Sequence, residues 1–67
     1  MTKIELNGAP HVLEHVTSLA ALLAAHGYAD RPVAVEINRE IVPRSQHAQR
    51  LIADGDRIEI VHALGGG

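Results

Sequence analysis

The sequence predicts an α+β domain in which one main helix covers a mixed sheet of four to five strands. Three observations carry that expectation. Lys3-Ile4-Glu5-Leu6-Asn7 alternates polar and apolar residues and ends at Asn7-Gly8, the strongest short hairpin signal. Leu19, Leu22 and Leu23 stand at helical spacing in a stretch rich in alanine. Val33-Ala34-Val35-Glu36-Ile37 and Arg57-Ile58-Glu59-Ile60 alternate again, each reading as a strand with one inner face.

After the Asn7-Gly8 turn the sequel is a returning strand around Pro10 to Glu14. Periodicity leaves a second reading open, because Val12, Val16, Leu19 and Leu23 also fit one long helix from Pro10 to His26. Val16-Thr17-Ser18 favours a break there: two β-branched residues suit a helix interior poorly, and Ser18 is a good N-cap. The helix is therefore expected from about Leu19 to His26. Leu19, Leu22, Leu23 and His26 form its stripe against the sheet, and Gly27 closes it in the left-handed conformation. His26 at that end is placed to interact with the helix dipole.

Residues 28–32 read as a loop, and Val33, Val35 and Ile37 share the inner face of the next strand. Asn38-Arg39-Glu40 turns into a short Ile41-Val42 segment that Pro43 ends or confines to a sheet edge. Ser45 to Arg50 suits one short helical turn, with Leu51-Ile52 anchoring it to the core, and Asp54-Gly55-Asp56 is a tight turn. The last run turns apolar on both faces from Ile60 onward, through Val61, Ala63 and Leu64. That suits a central strand buried on both sides, or one face kept for a partner. With the first and last strands as central neighbours, this order of elements is the β-grasp, or ubiquitin-like, fold.

Composition narrows the function classes. A chain of 67 residues makes a single domain with a small core and no cleft between lobes. The expected division is a globular body over 1–63 and a flexible C-terminal tail over 64–67. Net charge is −2 and Tyr28 is the lone aromatic residue, so neither a basic stripe nor a base-stacking platform for nucleic acid is present. Cysteine is absent, which removes disulfides, thiolate metal ligands and a thiol nucleophile. No segment reaches the roughly 18 apolar residues that span a bilayer, and the N-terminal residues carry no secretion signal. A cytoplasmic location without membrane contact is expected.

One metal motif needs weighing. His11-Val12-Leu13-Glu14-His15 matches the H-x-x-E-H pattern, in which two histidines one helical turn apart share a zinc ion. On a strand the same two side chains lie about 13 Å apart, too far to share an ion. No metal site is expected, and His11, Glu14 and His15 are read as surface residues.

The terminal Gly65-Gly66-Gly67 is poorly explained by average glycine usage of about 7%. Without Cβ atoms such a tail can lie extended in a channel too narrow for side chains. A frayed terminus gives the same residues without a role.

Ile37-Asn38-Arg39-Glu40-Ile41-Val42-Pro43-Arg44, then Gln46 and Ala48-Gln49, then Asp54-Gly55-Asp56-Arg57-Ile58-Glu59-Ile60-Val61 and the terminal glycines resemble the sulfur carriers of thiamine biosynthesis. The resemblance covers essentially the whole chain, although Ala9 to Val16 carries no motif of that family and Gly65 exceeds the family's minimum of two glycines. It implies a carrier, not an enzyme, whose sulfur rides on the C-terminal carboxylate of Gly67. An ATP- and Mg-using adenylating enzyme akin to ubiquitin-activating enzymes would activate that carboxylate. A persulfide donor would then supply sulfur, and the thiocarboxylate would pass it to thiazole synthase. The chain itself would bind no cofactor. In this reading Gly65 and Gly66 thread the partners' active sites, while Leu64, Ala63, Val61 and Arg44 contact the partners. Strand core for Val61 and simple solvation for Arg44 stand as alternatives. The molybdopterin synthase small subunit, a ubiquitin-like modifier and a plain β-grasp interaction module share the fold and stand as alternative functions, with the Asn-x-x-Ile-Val-Pro-Arg stretch at 38–44 favouring the thiamine carriers.

Overall fold

A computed structural model describes residues 1–62, the last of them by its backbone alone. The elements are β1 (Thr2–Leu6), β2 (Ala9–Leu13), α1 (Leu19–Ala25), β3 (Val33–Ile37), β4 (Glu40–Ile41), a 3-10 turn (Arg44–Gln46) and β5 (Arg57–His62). They form one five-stranded sheet in the order β2-β1-β5-β3-β4. β5 is parallel to β1 and antiparallel to β3, so the sheet is mixed and its middle strand is the last one.

The strand reading of the N-terminal stretch holds. Asn7 and Gly8 both take positive φ, 50° and 82°, as a two-residue hairpin turn requires, and the chain returns as β2 in register with β1. The long-helix alternative would have lost that pairing.

Helix α1 has seven residues, too few to hold together on propensity alone. Its ends are therefore saturated. Leu19 N donates to Arg50 O at 2.8 Å and Ala20 N to His47 O at 2.9 Å, so a neighbouring loop supplies two acceptors. Ser18 Oγ accepts from Ala21 N at 3.1 Å as the expected N-cap. At the other end Gly27, with φ 84°, lets Gly27 N reach Ala24 O and Tyr28 N reach Leu23 O, a Schellman closure.

One face of the sheet lies under α1. Ile4, Leu6, Val35, Ile37, Ile58 and Ile60 point inward and pack with Leu19, Leu22, Leu23, Val42 and Ile52. Two expectations need correction. His26 is exposed instead of completing the helix stripe, because the helix ends at Ala25 and His26 is its C-cap beyond the sheet's cover. Leu51 is also exposed, since the extended backbone there alternates sides and only Ile52 can enter the core.

A second two-residue turn, Asn38-Arg39, joins β3 to β4, with φ of 53° and 71°. Asn38 is held by its side chain: Nδ2 donates to Asp56 Oδ1 at 2.9 Å, and Oδ1 accepts from Arg57 N at 2.9 Å. Asp56 is itself buried and also accepts from Ala53 N. Left-handed backbone costs an L-residue about 1–2 kcal/mol, whereas glycine adopts it without that penalty. Arg39→Gly is therefore expected to stabilise the domain by about 0.5–1 kcal/mol after the entropy glycine adds to the unfolded chain. Thermal unfolding checks this, and a lower Tm would mean that the Arg39 side chain contributes more than its backbone strain costs.

Candidate functional site

β5 is held by β1 and Asn7 over its first half and by β3 as far as His62. Glu5 N donates to Asp56 O at 2.9 Å and Asn7 N to Ile58 O at 2.8 Å. Beyond the end of β1, Asn7 Oδ1 takes over as acceptor for Ile60 N at 2.8 Å. On the other flank β3 pairs β5 as far as Val33 opposite His62. β5 is thus anchored in the middle of the sheet as far as His62.

The alternation of β5 sends Ile58 and Ile60 into the core and Arg57, Glu59 and Val61 to the opposite, uncovered face. Val61 is 55% exposed. Of the readings open for this run, burial on both sides fails: β5 is central but only one face is covered. Beside Val61 a shallow groove is lined by Asn7, Gly8, Glu59 and Ile60.

Charge crosses the same open face. Arg57 Nε meets Glu5 Oε2 at 3.1 Å, an exposed pair that adds little stability by itself. Glu36 and Glu59 stand directly opposite each other on β3 and β5. Like charges so placed repel, and Arg39 and Arg57 line the same depression with them. Ile41, 71% exposed, shares this face at the β4 edge, because it pairs with outward-facing Glu36. Ile41 and the four charged residues were not singled out in the sequence. The outward half of each strand's alternation was the available signal, but it acquires meaning only once the strand order is known.

Arg44 lies elsewhere. It starts the 3-10 turn and lines a groove with Ala20, Leu23, Ala29, His47 and Ala48, on the helix side of the sheet. Val61 and Arg44 are thus not brought onto one surface. In that groove His47 is buried and its Nε2 carries the proton, because it lies 3.0 Å from the Val42 carbonyl, an acceptor. Ala63, Leu64, Gly65, Gly66 and Gly67 lie outside the described residues.

The H-x-x-E-H motif does not form a helical zinc site. His11 sits on β2, while Glu14 and His15 follow in a bend. Among the described residues no three or more histidine or carboxylate side chains gather in a way that could hold a metal ion. Nor is any helix among them long and apolar enough to cross a membrane.

Comparison with known proteins gives this geometry its context. The model of the ThiS family matches residues 3–67, which takes in the glycine tail. The chain belongs to the ThiS family. The ThiS-family chain is 41% identical over 46 residues to the sulfur carrier protein ThiS of Bacillus subtilis, covering 69% of this chain and 70% of that one. It is 45% identical over 65 residues to a thiazole synthase of Magnetococcus marinus, which covers 97% of this chain but 20% of that protein's length. Its fold superposes on the crystal structure of thiamine biosynthesis protein ThiS from Geobacter metallireducens with a TM-score of 0.84 and 29% identity, over 98% and 100% of the two chains. The expected β-grasp fold is thereby established.

Asn7 gives a direct test of how firmly the exit strand is held. Asn7→Gly keeps the left-handed turn but removes the acceptor for Ile60 N. Loss of one hydrogen bond worth about 1 kcal/mol should speed exchange of the Ile60 amide by roughly fivefold. Hydrogen exchange by NMR reads this amide by amide, and unchanged Ile60 exchange would show that the side-chain bond contributes nothing.

Proposed function

We propose that this chain is the sulfur carrier of thiamine biosynthesis, with Gly67 as the atom-carrying residue. The observation that carries the reading is the family match through residue 67, which includes the three terminal glycines. The chain is a co-substrate and not an enzyme.

The chemistry follows from the terminal carboxylate. A carboxylate is a poor electrophile, so an adenylating partner using ATP and magnesium converts it to an acyl adenylate, releasing pyrophosphate. The terminal sulfur of a partner's persulfide attacks that carbonyl and expels AMP, leaving an acyl disulfide. Two electrons from a thiol cleave the S–S bond, and the thiocarboxylate remains on Gly67. It is the nucleophile offered to thiazole synthase. Support for that acceptor comes from the Magnetococcus marinus relative, where a segment like this chain belongs to a longer protein named thiazole synthase.

Gly65 and Gly66 fit a threading role because a backbone without side chains can enter a narrow channel. The body docks through the uncovered face, where Val61 offers apolar area near the end of β5, and Ala63 and Leu64, which follow in sequence, are further candidate contacts. Ile41 extends the same surface at the edge, with the Glu36, Glu59, Arg39 and Arg57 patch fixing orientation through charge. Arg44 reaches a partner only if that partner wraps around the β4 edge to the helix side.

Intact-mass measurement after incubation with ATP, a persulfide donor and the adenylating enzyme tests the reading. The expected gain equals one oxygen exchanged for sulfur at Gly67, and deletion of Gly66 and Gly67 together, which leaves a single terminal glycine, abolishes it. Stable adducts on lysine side chains would instead identify a protein modifier. For docking, Val61→Asp should slow thiocarboxylate formation at least tenfold at limiting partner while costing about 1 kcal/mol of stability, because Asp is a poor strand former on a central strand. Equal rates would remove Val61 from the interface.

A further inference from the structure

His11 and His26 meet at the edge of the domain. Their ring centroids are 5.0 Å apart and their planes are inclined at 59°. His11 is half-buried on β2, on the face toward the helix, opposite Ile4 in the β1–β2 register. His26 is the exposed C-cap of α1. Both backbones are fixed, the first by the hairpin ladder and the second by the Gly27–Tyr28 closure of the helix. Neither ring takes part in the proposed sulfur transfer.

We propose that these two imidazoles form a binding site for a divalent transition-metal ion of the zinc or nickel class. Imidazole nitrogen is a preferred ligand for both ions. A metal–nitrogen bond of about 2.0–2.1 Å, with about 1.1 Å from ring centre to nitrogen, puts an ion about 3.2 Å from each centroid. Centroids 5.0 Å apart then subtend about 100° at the ion. That angle lies between square-planar and tetrahedral values. The second torsion of histidine is soft, and the exposure of His26 leaves its ring room to turn its nitrogen toward the shared point. No third protein ligand joins them among the described residues, so water completes the coordination and the ion exchanges readily. Bound, it ties the outer strand β2 to the end of α1.

The test uses the untagged full chain near neutral pH, where imidazole is largely uncharged and able to ligate. Zinc and nickel are titrated separately, with magnesium, which prefers oxygen ligands, as the control. Tm should rise with the concentration of zinc or nickel and stay constant with magnesium. In NMR the ring signals of His11 and His26 should shift or broaden first. His26→Gln, at an exposed position, should weaken binding at least tenfold, and so should His11→Gln, whereas His15→Gln should leave it unchanged. If His11→Gln fails to fold, His26→Gln and the ring signals of the unmodified chain still decide. Equal affinity in His26→Gln, signals that move at His15 instead, or no response to either ion at millimolar concentration would each overturn the site and leave a ring contact alone.

Discussion

The parallel pairing of β1 with β5 is the constraint on which the domain rests. It joins Glu5 to Arg57, 52 positions apart, and closing so long a loop costs about 3.5 kcal/mol beyond a constant term. Ile4, Leu6, Ile58 and Ile60 are brought side by side by this pairing and are buried beneath α1. At about 1.5–3 kcal/mol for each side chain, their burial exceeds the closure term. The backbone around the pair is then satisfied by local side chains: Asp54 Oδ1 accepts from Lys3 N, and Asn7 Oδ1 accepts from Ile60 N. Polar residues at both ends of the ladder therefore carry the pairing further than the strands themselves do.

The helix depends on this arrangement as much as it completes it. Seven residues gain stability from Leu19, Leu22 and Leu23, which need the sheet beneath them, and from the carbonyls of His47 and Arg50, which need the segment after β4 in place. Asp56, buried and bonded to Asn38 and Ala53, fixes the β3–β4 turn against the start of β5. Each part is short, and each is held by one remote in sequence.

Much of this was legible before any coordinates. Alternation identified the inner faces of β1, β3 and β5, because a half-buried strand has no other simple pattern. Ser18 and Gly27 marked the helix ends through their own capping chemistry. The Ala9–Leu13 segment was less plain, since Pro10 and Val12 suit a helix start as well as an edge strand, and only pairing with β1 decides between them. Helical spacing places His26 on the core stripe but ignores where the helix stops, and the apolar character of Leu51 does not say which of Leu51 and Ile52 faces inward. The uncovered face was half visible: Val61 was singled out, whereas Ile41 and the Glu36–Glu59 juxtaposition arise from cross-strand register that no linear pattern contains. The same holds for His11 and His26, brought together from a strand and a helix cap.

The central position of β5 also has a mechanical meaning. A strand at the rim of a sheet can be peeled away one hydrogen bond at a time, because a lateral pull loads only the bond at the opening. β5 is gripped by β1 on one side and β3 on the other, so a pull along the axis of β5 acts between two neighbours. Its bonds are then loaded in shear and must yield together, while Ile58 and Ile60 resist being dragged through the core. Under such a load β5 resists as a unit and not bond by bond.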